Sequence, residues 1–236
     1  AMVLAAGIGH RMRPLTDSRP KALVEVAGRS LIDRALDRLQ DAGVKNCVVN
    51  LHHLAAMLRR HLAARKMPAI SFSPEETLLE TGGGVKHALP LLGEAPFYAV
   101  NCDALWLDGP VSTLKLMARL WDPGRMDVLL LLQPTVGAIG YDGVGDYFME
   151  PDGMLRRRIE ERVAPFVFAG VQILSPTLFA GASDGPFSLR DLYDKAQEAG
   201  RLFGLRHDGM WFHVGTPDAV RTAELMIGGR PAQSQA

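Results

Sequence analysis

Short apolar runs alternate with amphipathic stretches along most of the chain. The apolar runs predict strands at residues 2–6, 46–51, 69–73, 97–101 and 127–133. Between them, apolar residues recur at the three- and four-residue spacing of helices and predict helices at residues 31–42, 54–64, 84–92 and 111–120. This alternation is typical of an α/β fold in which helices cover a mostly parallel sheet.

The pattern changes after residue 133. Strands are predicted at residues 147–149 and 163–174 with turns between them, and helices return at 189–199 and 217–227. Residues 228–236 are small and polar, and we expect them to form a disordered tail. We therefore expect a single domain over residues 1–227.

Charge and composition narrow the function classes. Lys and Arg together number 26, and Asp and Glu together also number 26. Because the charges balance, the chain has no overall positive field that would indicate nucleic-acid binding. No apolar run is long enough to span a membrane and no signal peptide is visible, so we expect a cytoplasmic protein. Cys47 and Cys102 lie in apolar runs and are expected to be buried, reduced thiols.

The most informative motif is LAAGIGHRMRPLT at residues 4–16, which is followed by Pro20 and Lys21. Its glycines allow backbone N–H groups to surround phosphate oxygens, and its arginines and Lys21 add positive charge, which suits a triphosphate. Met12 stands where a dinucleotide-binding fingerprint needs its third glycine, and the Gly-Lys-Ser/Thr of a Walker-type loop is absent.

This motif resembles the signature of the sugar-1-phosphate nucleotidyltransferases: an N-terminal strand, then L-A-A-G-x-G-x-R-M-x-P-L-T, then P-K. The TGGG of residues 81–84, the NCD of 101–103 and the WFHVGT of 211–216 follow in the order expected of that family. The resemblance covers residues 2–227. It implies a Rossmann-like three-layer sandwich with a mixed, mostly parallel sheet of the glycosyltransferase-A-like nucleotidyltransferase type.

The resemblance also implies the reaction, which is nucleotidyl transfer from an NTP to a sugar-1-phosphate with release of pyrophosphate. Such catalysis consists mainly of positioning and charge neutralisation. Arg11 would clamp the β- and γ-phosphates, and Lys21 would lie between the α-phosphate and the sugar phosphate. Arg13 could add positive charge near the phosphates, or it could only pair with a nearby carboxylate.

The same resemblance implies binding roles for further residues. The N-terminal half would bind the nucleotide through Leu4, Ala6, Gly7, Gly9, Arg11, Glu80, Gly82, Gly83 and Asn101. The C-terminal half would bind the sugar phosphate through Gly145, Asp146, Glu160 and Gly170.

The metal site departs from the family pattern. Asp103 follows a predicted strand and would bind Mg²⁺, although an Asp there could also cap the next segment. His213 stands where the family has an oxygen ligand, and imidazole suits Mn²⁺ or Co²⁺ better than Mg²⁺. Three hypotheses stay open: Mg²⁺ held by Asp103 and phosphate oxygens alone, preference for Mn²⁺ or Co²⁺, or weakened activity.

Within the family, the chain most resembles the small uridylyltransferases of bacterial cell-wall recycling, which implies UTP and N-acetylmuramate-1-phosphate as substrates. The alternatives are a mannose- or heptose-1-phosphate guanylyltransferase, a non-catalytic nucleotide-sugar sensor, and a molybdopterin nucleotidyl-transfer enzyme. The expected partners are these small molecules, with no nucleic acid and no membrane. The oligomeric state stays open.

Overall fold

The computed structural model describes residues 1–228, so the predicted tail lies outside the described residues except for Gly228. The strands are β1 Met2–Leu4, β2 Glu25–Val26, β3 Arg29–Ser30, β4 Asn46–Leu51, β5 Ala69–Pro74, β6 Phe97–Asn101, β7 Ala104–Leu107, β8 Val128–Pro134, β9 Ala138–Ile139, β10 Tyr147–Met149, β11 Leu155–Arg157, β12 Phe166–Leu174, β13 Leu202–Arg206 and β14 Met210–His213. The helices are α1 Leu31–Asp41, α2 Ala55–Leu62, α3 Glu80–Leu92, α4 Thr113–Leu120, α5 Leu189–Glu198 and α6 Pro217–Gly228.

Nine of the described strands form one mixed sheet. Its main path runs β11-β10-β12-β6-β1-β4-β5, and β8 joins it beside β12 and pairs with β13 on its other side. Strands β6, β1, β4 and β5 are parallel, whereas β12 is antiparallel to both β6 and β8. The parallel strands therefore end together at one edge of the sheet.

Helices cover both faces of this sheet. Val3 packs with α1, α2 and α4 in one buried cluster, whereas its neighbours Met2 and Leu4 pack with α3 and α5 in another. This alternation follows from the two-residue period of a strand. The predicted α/β class with a three-layer arrangement is confirmed.

A second sheet completes the part of the fold that bears on the site. It has the order β7-β14-β9, and α6 packs against it through Val220 and Ala223 beside the buried Phe212. Met12 lies in the same apolar cluster, so the turn that carries Arg11 is anchored to this sheet.

Several element boundaries differ from the predictions for local reasons. Strand β1 ends at Leu4 because the N–H of Ala5 donates to the side chain of Asn50 and leaves the ladder. Helix α3 begins at Glu80, four residues before the predicted start at 84. Within residues 1–228, no helix is both long enough and apolar enough to cross a bilayer.

Candidate functional site

A cleft of ≈ 390 Å³ opens at the carboxyl ends of β1 and β6. In open α/β sheets, ligands bind at this edge, outside the carboxyl ends of the strands. They bind where the connections from two neighbouring strands lead to opposite sides of the sheet. Seven of the residues predicted from the sequence line it: Leu4, Ala6, Gly7, Lys21, Glu80, Asn101 and Asp103.

A buried polar network holds the glycine loop over this cleft. Asn50 accepts from the Ala5 N–H at 2.6 Å and donates to Glu75 Oε1 at 2.7 Å. The other oxygen of Glu75 accepts from the Leu79 N–H at 3.0 Å, just before α3. Asn50 and Glu75 are both buried, so the network fixes the end of β1 to β4 and to the start of α3. Motif comparison did not find Glu75; its only signal is a carboxylate just after a predicted strand.

Gly9 shapes the turn that carries Arg11. Its φ is +77°, and a Cβ there would lie 3.1 Å from side-chain atoms of both Lys21 and Thr16. The Thr16 hydroxyl donates to the Gly9 carbonyl at 2.9 Å. Arg11 is exposed on the following turn, whereas Arg13 pairs with Asp17, with Nε 3.3 Å from Oδ1.

Lys21 and Asp103 form an ion pair at the centre of the site. Lys21 opens the short helical turn after Pro20, and Asp103 follows β6. The Lys21 side chain is 15% exposed and the Asp103 side chain 29%, so both charges remain accessible from the cleft. Residues of two motifs that lie 82 positions apart in the sequence are thus in direct contact.

His213 ends β14 and pairs with Ala104, which places it beside Asp103. Burial lowers its pKa, and the nearby charges of Arg11 and Lys21 lower it further, while Asp103 raises it. The imidazole is therefore neutral at pH 7 and has a lone pair free for a ligand. Arg11, Lys21 and Asp103 therefore all lie within electrostatic range of His213.

Asp103 and His213 are chemically suited to hold a divalent cation, since they offer a carboxylate oxygen and a neutral imidazole nitrogen. Within residues 1–228, no group of three or more His, Cys, Asp or Glu side chains is arranged to hold a metal ion. A cation at this position would thus take its remaining ligands from phosphate oxygens or water.

Gly82 and Gly83 serve packing in this structure. Their N–H groups donate to the Phe187 carbonyl at 2.8 Å and 3.1 Å. A Cβ at Gly82 would lie 2.3 Å from the Phe187 ring, and one at Gly83 would lie 2.3 Å from the Gly185 carbonyl oxygen. The N–H groups of these two predicted nucleotide-binding residues are therefore already paired, and contact of Gly82 and Gly83 with the nucleotide stays a prediction.

A second cavity of ≈ 240 Å³ adjoins the first and shares Thr81, Asn101 and Ser188 with it. Of the predicted sugar-binding residues, Asp146 lines this cavity. Its carboxylate accepts from the Phe168 N–H at 2.9 Å.

The other three predicted sugar-binding residues do not line this cavity. Gly145 forms a tight turn at φ +75°, and Gly170, at φ +80°, packs against the side chain of Asn101. Glu160 lies in an exposed turn and offers its carbonyl to Arg158. Sequence reasoning missed Gln172, Arg190 and Tyr193, which do line the cavity and come from elements without a motif.

The cysteines are unsuited to nucleophilic chemistry. Burial raises the pKa of both Cys47 and Cys102 to about 12, so both thiols stay protonated at neutral pH. Both are free and buried, as the sequence predicted.

Comparison with known proteins identifies relatives of this chain. Residues 1–133 match the model of the MobA-like NTP transferase domain. The chain is 48% identical to the N-acetylmuramate alpha-1-phosphate uridylyltransferase of Caulobacter vibrioides, with 96% of each chain covered. It is 34% identical to the enzyme of the same name from Neisseria meningitidis, with 97% of this chain and 98% of that one covered.

Among solved structures, the fold is similar to that of a UDP-glucose pyrophosphorylase complexed with UDP-glucose. The TM-score is 0.78 at 16% identity, and the match covers 97% of this chain and 98% of that chain. At this identity the likeness shows the fold alone.

Proposed function

This chain belongs to the MobA-like NTP transferase family, and we propose that it transfers the uridylyl group of UTP to N-acetylmuramate α-1-phosphate. The products are UDP-N-acetylmuramate and pyrophosphate. The observation that carries the proposal is the Lys21–Asp103 ion pair in the cleft between β1 and β6, on a chain 48% identical to an enzyme of that name.

The reaction is a single displacement at phosphorus. An oxygen of the sugar phosphate attacks the α-phosphorus of UTP, and the bond from that phosphorus to the oxygen bridging to the β-phosphate breaks. The electron pair leaves with pyrophosphate, and no proton or covalent enzyme intermediate is required. Because both reactants are anions, the protein's task is to position them and to neutralise their charge.

Two cations perform this task in our proposal. Lys21 turns from Asp103 to the space between the α-phosphate and the sugar phosphate and lowers their mutual repulsion. Arg11, exposed on the turn after Gly9, binds the β- and γ-phosphates and stabilises the charge that builds on pyrophosphate. The backbone of residues 6–9 surrounds the phosphates, as the glycines permit.

Asp103 and His213 would hold the divalent cation. Once bound there, the cation would neutralise negative charge on the phosphate oxygens. Because one of the two donors is an imidazole, we propose that Mn²⁺ or Co²⁺ supports turnover at least as well as Mg²⁺.

The remaining assignments follow from the same proposal. We assign the first cavity to UTP and the second to the sugar. We place the reaction in the cytoplasm, where nucleoside triphosphates are kept and where buried free cysteines stay reduced.

A substrate panel tests the proposal. Pyrophosphate release is measured with UTP, GTP, CTP and dTTP against N-acetylmuramate, N-acetylglucosamine, mannose and heptose 1-phosphates, each with Mg²⁺ and with Mn²⁺. We expect the highest kcat/KM for UTP with N-acetylmuramate 1-phosphate. A maximum with GTP and mannose 1-phosphate would instead assign the guanylyltransferase activity, and no turnover in any combination would favour a sensor.

The double variant R11Q/K21Q tests the mechanism itself. Removing both charges should abolish measurable turnover while the far-UV circular dichroism spectrum stays unchanged. Turnover equal to that of the wild type would contradict the roles of both residues.

A further inference from the structure

The second cavity contains a buried hydrogen-bond donor with no partner. Gln172 lies on β12 and is fully buried at the cavity wall. Its Oε1 accepts from the Tyr193 hydroxyl, while its Nε2 has no hydrogen-bond partner. A buried amide nitrogen without a partner is costly, which indicates that a ligand atom completes the pairing.

Tyr193 fixes which end of the amide faces that ligand. Burial raises the pKa of Tyr193 well above its usual value, so the hydroxyl stays protonated and can donate. Because this hydroxyl occupies Oε1, the amide nitrogen of Gln172 is left as a donor, and the ligand atom it meets must be an acceptor.

The charges around the cavity are predominantly positive. Its lining contains three arginines and one carboxylate, that of Asp146. Arg157 pairs with Asp194, with Nε 2.9 Å from Oδ1, and Arg158 donates to backbone carbonyls that include that of Gly145. Arg190, exposed at the start of α5, has no carboxylate within 4.0 Å among residues 1–228.

The phosphate of the acceptor does not account for this positive charge. In the proposed reaction that phosphate must reach Lys21 in the first cavity to attack the α-phosphorus. An anion that meets Arg190 in the second cavity is therefore a separate group on the same sugar. A carboxylate combines a negative charge with acceptor oxygens, and it is the second anionic group of the acceptor in the proposed reaction.

We propose that Arg190 and Gln172 select an acceptor sugar that carries a carboxylate. Arg190 pairs with the carboxylate, and the Gln172 amide donates to an acceptor oxygen of the same sugar. This inference rests on the proposed function, in which the lactyl ether of N-acetylmuramate supplies that carboxylate.

The test compares two acceptors that differ in this group. N-acetylglucosamine 1-phosphate has the same phosphate and acetamide, but a hydroxyl replaces the lactyl ether. The kcat/KM for each is measured with UTP in the wild type, R190Q and R156Q. Where turnover of N-acetylglucosamine 1-phosphate is too slow, its inhibition constant against N-acetylmuramate 1-phosphate gives the same comparison.

R190Q should lower kcat/KM for N-acetylmuramate 1-phosphate by roughly 10- to 100-fold, the usual effect of a lost charge-assisted hydrogen bond. The value for N-acetylglucosamine 1-phosphate should stay within about twofold. R190K should restore part of the selectivity. R156Q is the matched control, because Arg156 is exposed on β11, pairs with Glu150 and does not line the cavity.

The Q172E substitution tests the role of Gln172 independently of Arg190, and it leaves the size of the side chain nearly unchanged. It keeps an oxygen for the Tyr193 hydroxyl and replaces the donor with an anionic oxygen. We expect it to weaken binding of both acceptors, and of the carboxylated one more strongly. Because Gln172 is fully buried, the added carboxyl group should also lower the thermal midpoint, so the test is the ratio of kcat/KM between the two acceptors.

Equal losses on both acceptors in R190Q, or no loss on either, would overturn the inference. If the wild type prefers N-acetylmuramate 1-phosphate in the same experiment, the proposed function survives this result. If the wild type itself does not turn over that acceptor, the proposed function fails instead.

Discussion

Arg11 and Arg13 lie two positions apart on the same loop, yet the structure gives them different surroundings. Arg13 pairs with Asp17 on the surface, whereas Arg11 lies close enough to His213 to lower the pKa of that histidine. We predict that R11Q reduces kcat about 100-fold or more, because the charge that builds on pyrophosphate loses its partner.

The matched variant R13Q should change kcat less than about threefold, since an exposed ion pair contributes little. Both variants are measured by pyrophosphate release at saturating UTP. Similar losses in the two would show that charge anywhere on the loop suffices, which would contradict the clamp role of Arg11.

His207 makes stability depend on pH. It is 3% exposed, and burial lowers its pKa below the usual 6.5, although hydrogen bonding to the Met210 carbonyl opposes the shift. The unfolded chain therefore binds a proton more readily than the folded one. The stability due to neutral His207 is fully present above pH 6.5 and is lost as the pH falls through the lowered pKa.

We predict that H207Q flattens this dependence. Urea unfolding at pH 7.5, 6.5 and 5.5 should show the wild-type free energy of unfolding falling faster than that of H207Q, by at most about 1.4 kcal/mol per pH unit. H87Q, at an exposed histidine, should follow the wild type. Parallel curves for H207Q and the wild type would contradict the prediction.

At the scale of elements, helix α3 packs so closely against residues 185–187 that its positions 82 and 83 require glycine. In an isolated helix, Ala is favoured over Gly by about 1 kcal/mol. At Gly82, however, the new Cβ would lie 2.3 Å from the Phe187 ring. We therefore predict that G82A lowers the free energy of unfolding by about 1–3 kcal/mol, the usual cost of overpacking.

A double-mutant cycle isolates that contact. In the F187A background the ring is absent, so G82A should cost at least about 1 kcal/mol less than it does in the wild type. Urea unfolding of the four proteins gives the coupling energy. A coupling near zero would mean that the contact does not require glycine.

The elements themselves were largely predictable, because hydrophobic periodicity reports local structure. Strands β4, β6 and β10 have the predicted bounds. Ser30 caps α1 by accepting from the Asp33 N–H. The start of α3 was not predictable. Glu80 adopts φ +59°, and the glycines after it pack against a segment far away in sequence.

The residues of the site also divide into those that the sequence could predict and those that it could not. The sequence could predict candidate roles for Arg11, Lys21, Asp103 and His213, because each belongs to a short motif of fixed spacing. In the structure, Lys21 pairs with Asp103, and His213 lies within electrostatic range of all three other residues. The second cavity has no such signature. Gln172 looks like one polar residue within a buried strand, and only its unpaired amide nitrogen distinguishes it.

At the scale of the whole molecule, both cavities lie on one continuous sheet. Strand β6 pairs with the parallel strand β1 on one side and with the antiparallel strand β12 on the other. Asn101, at its end, lines both cavities. The halves that would bind nucleotide and sugar therefore share a central strand, which supports our proposal that residues 1–227 form a single domain.

This proposal predicts a single cooperative unfolding transition that either substrate shifts as a whole. UTP at 100 times its Kd, with Mn²⁺, should add about 2.7 kcal/mol to the free energy of unfolding. For a chain of this size, that corresponds to a rise in Tm of roughly 5–10 °C. Calorimetry with N-acetylmuramate 1-phosphate alone should move the same transition, because its cavity includes Asn101 and β12. Two separate transitions, of which UTP moves only one, would show that the halves fold independently and that β6 does not couple them.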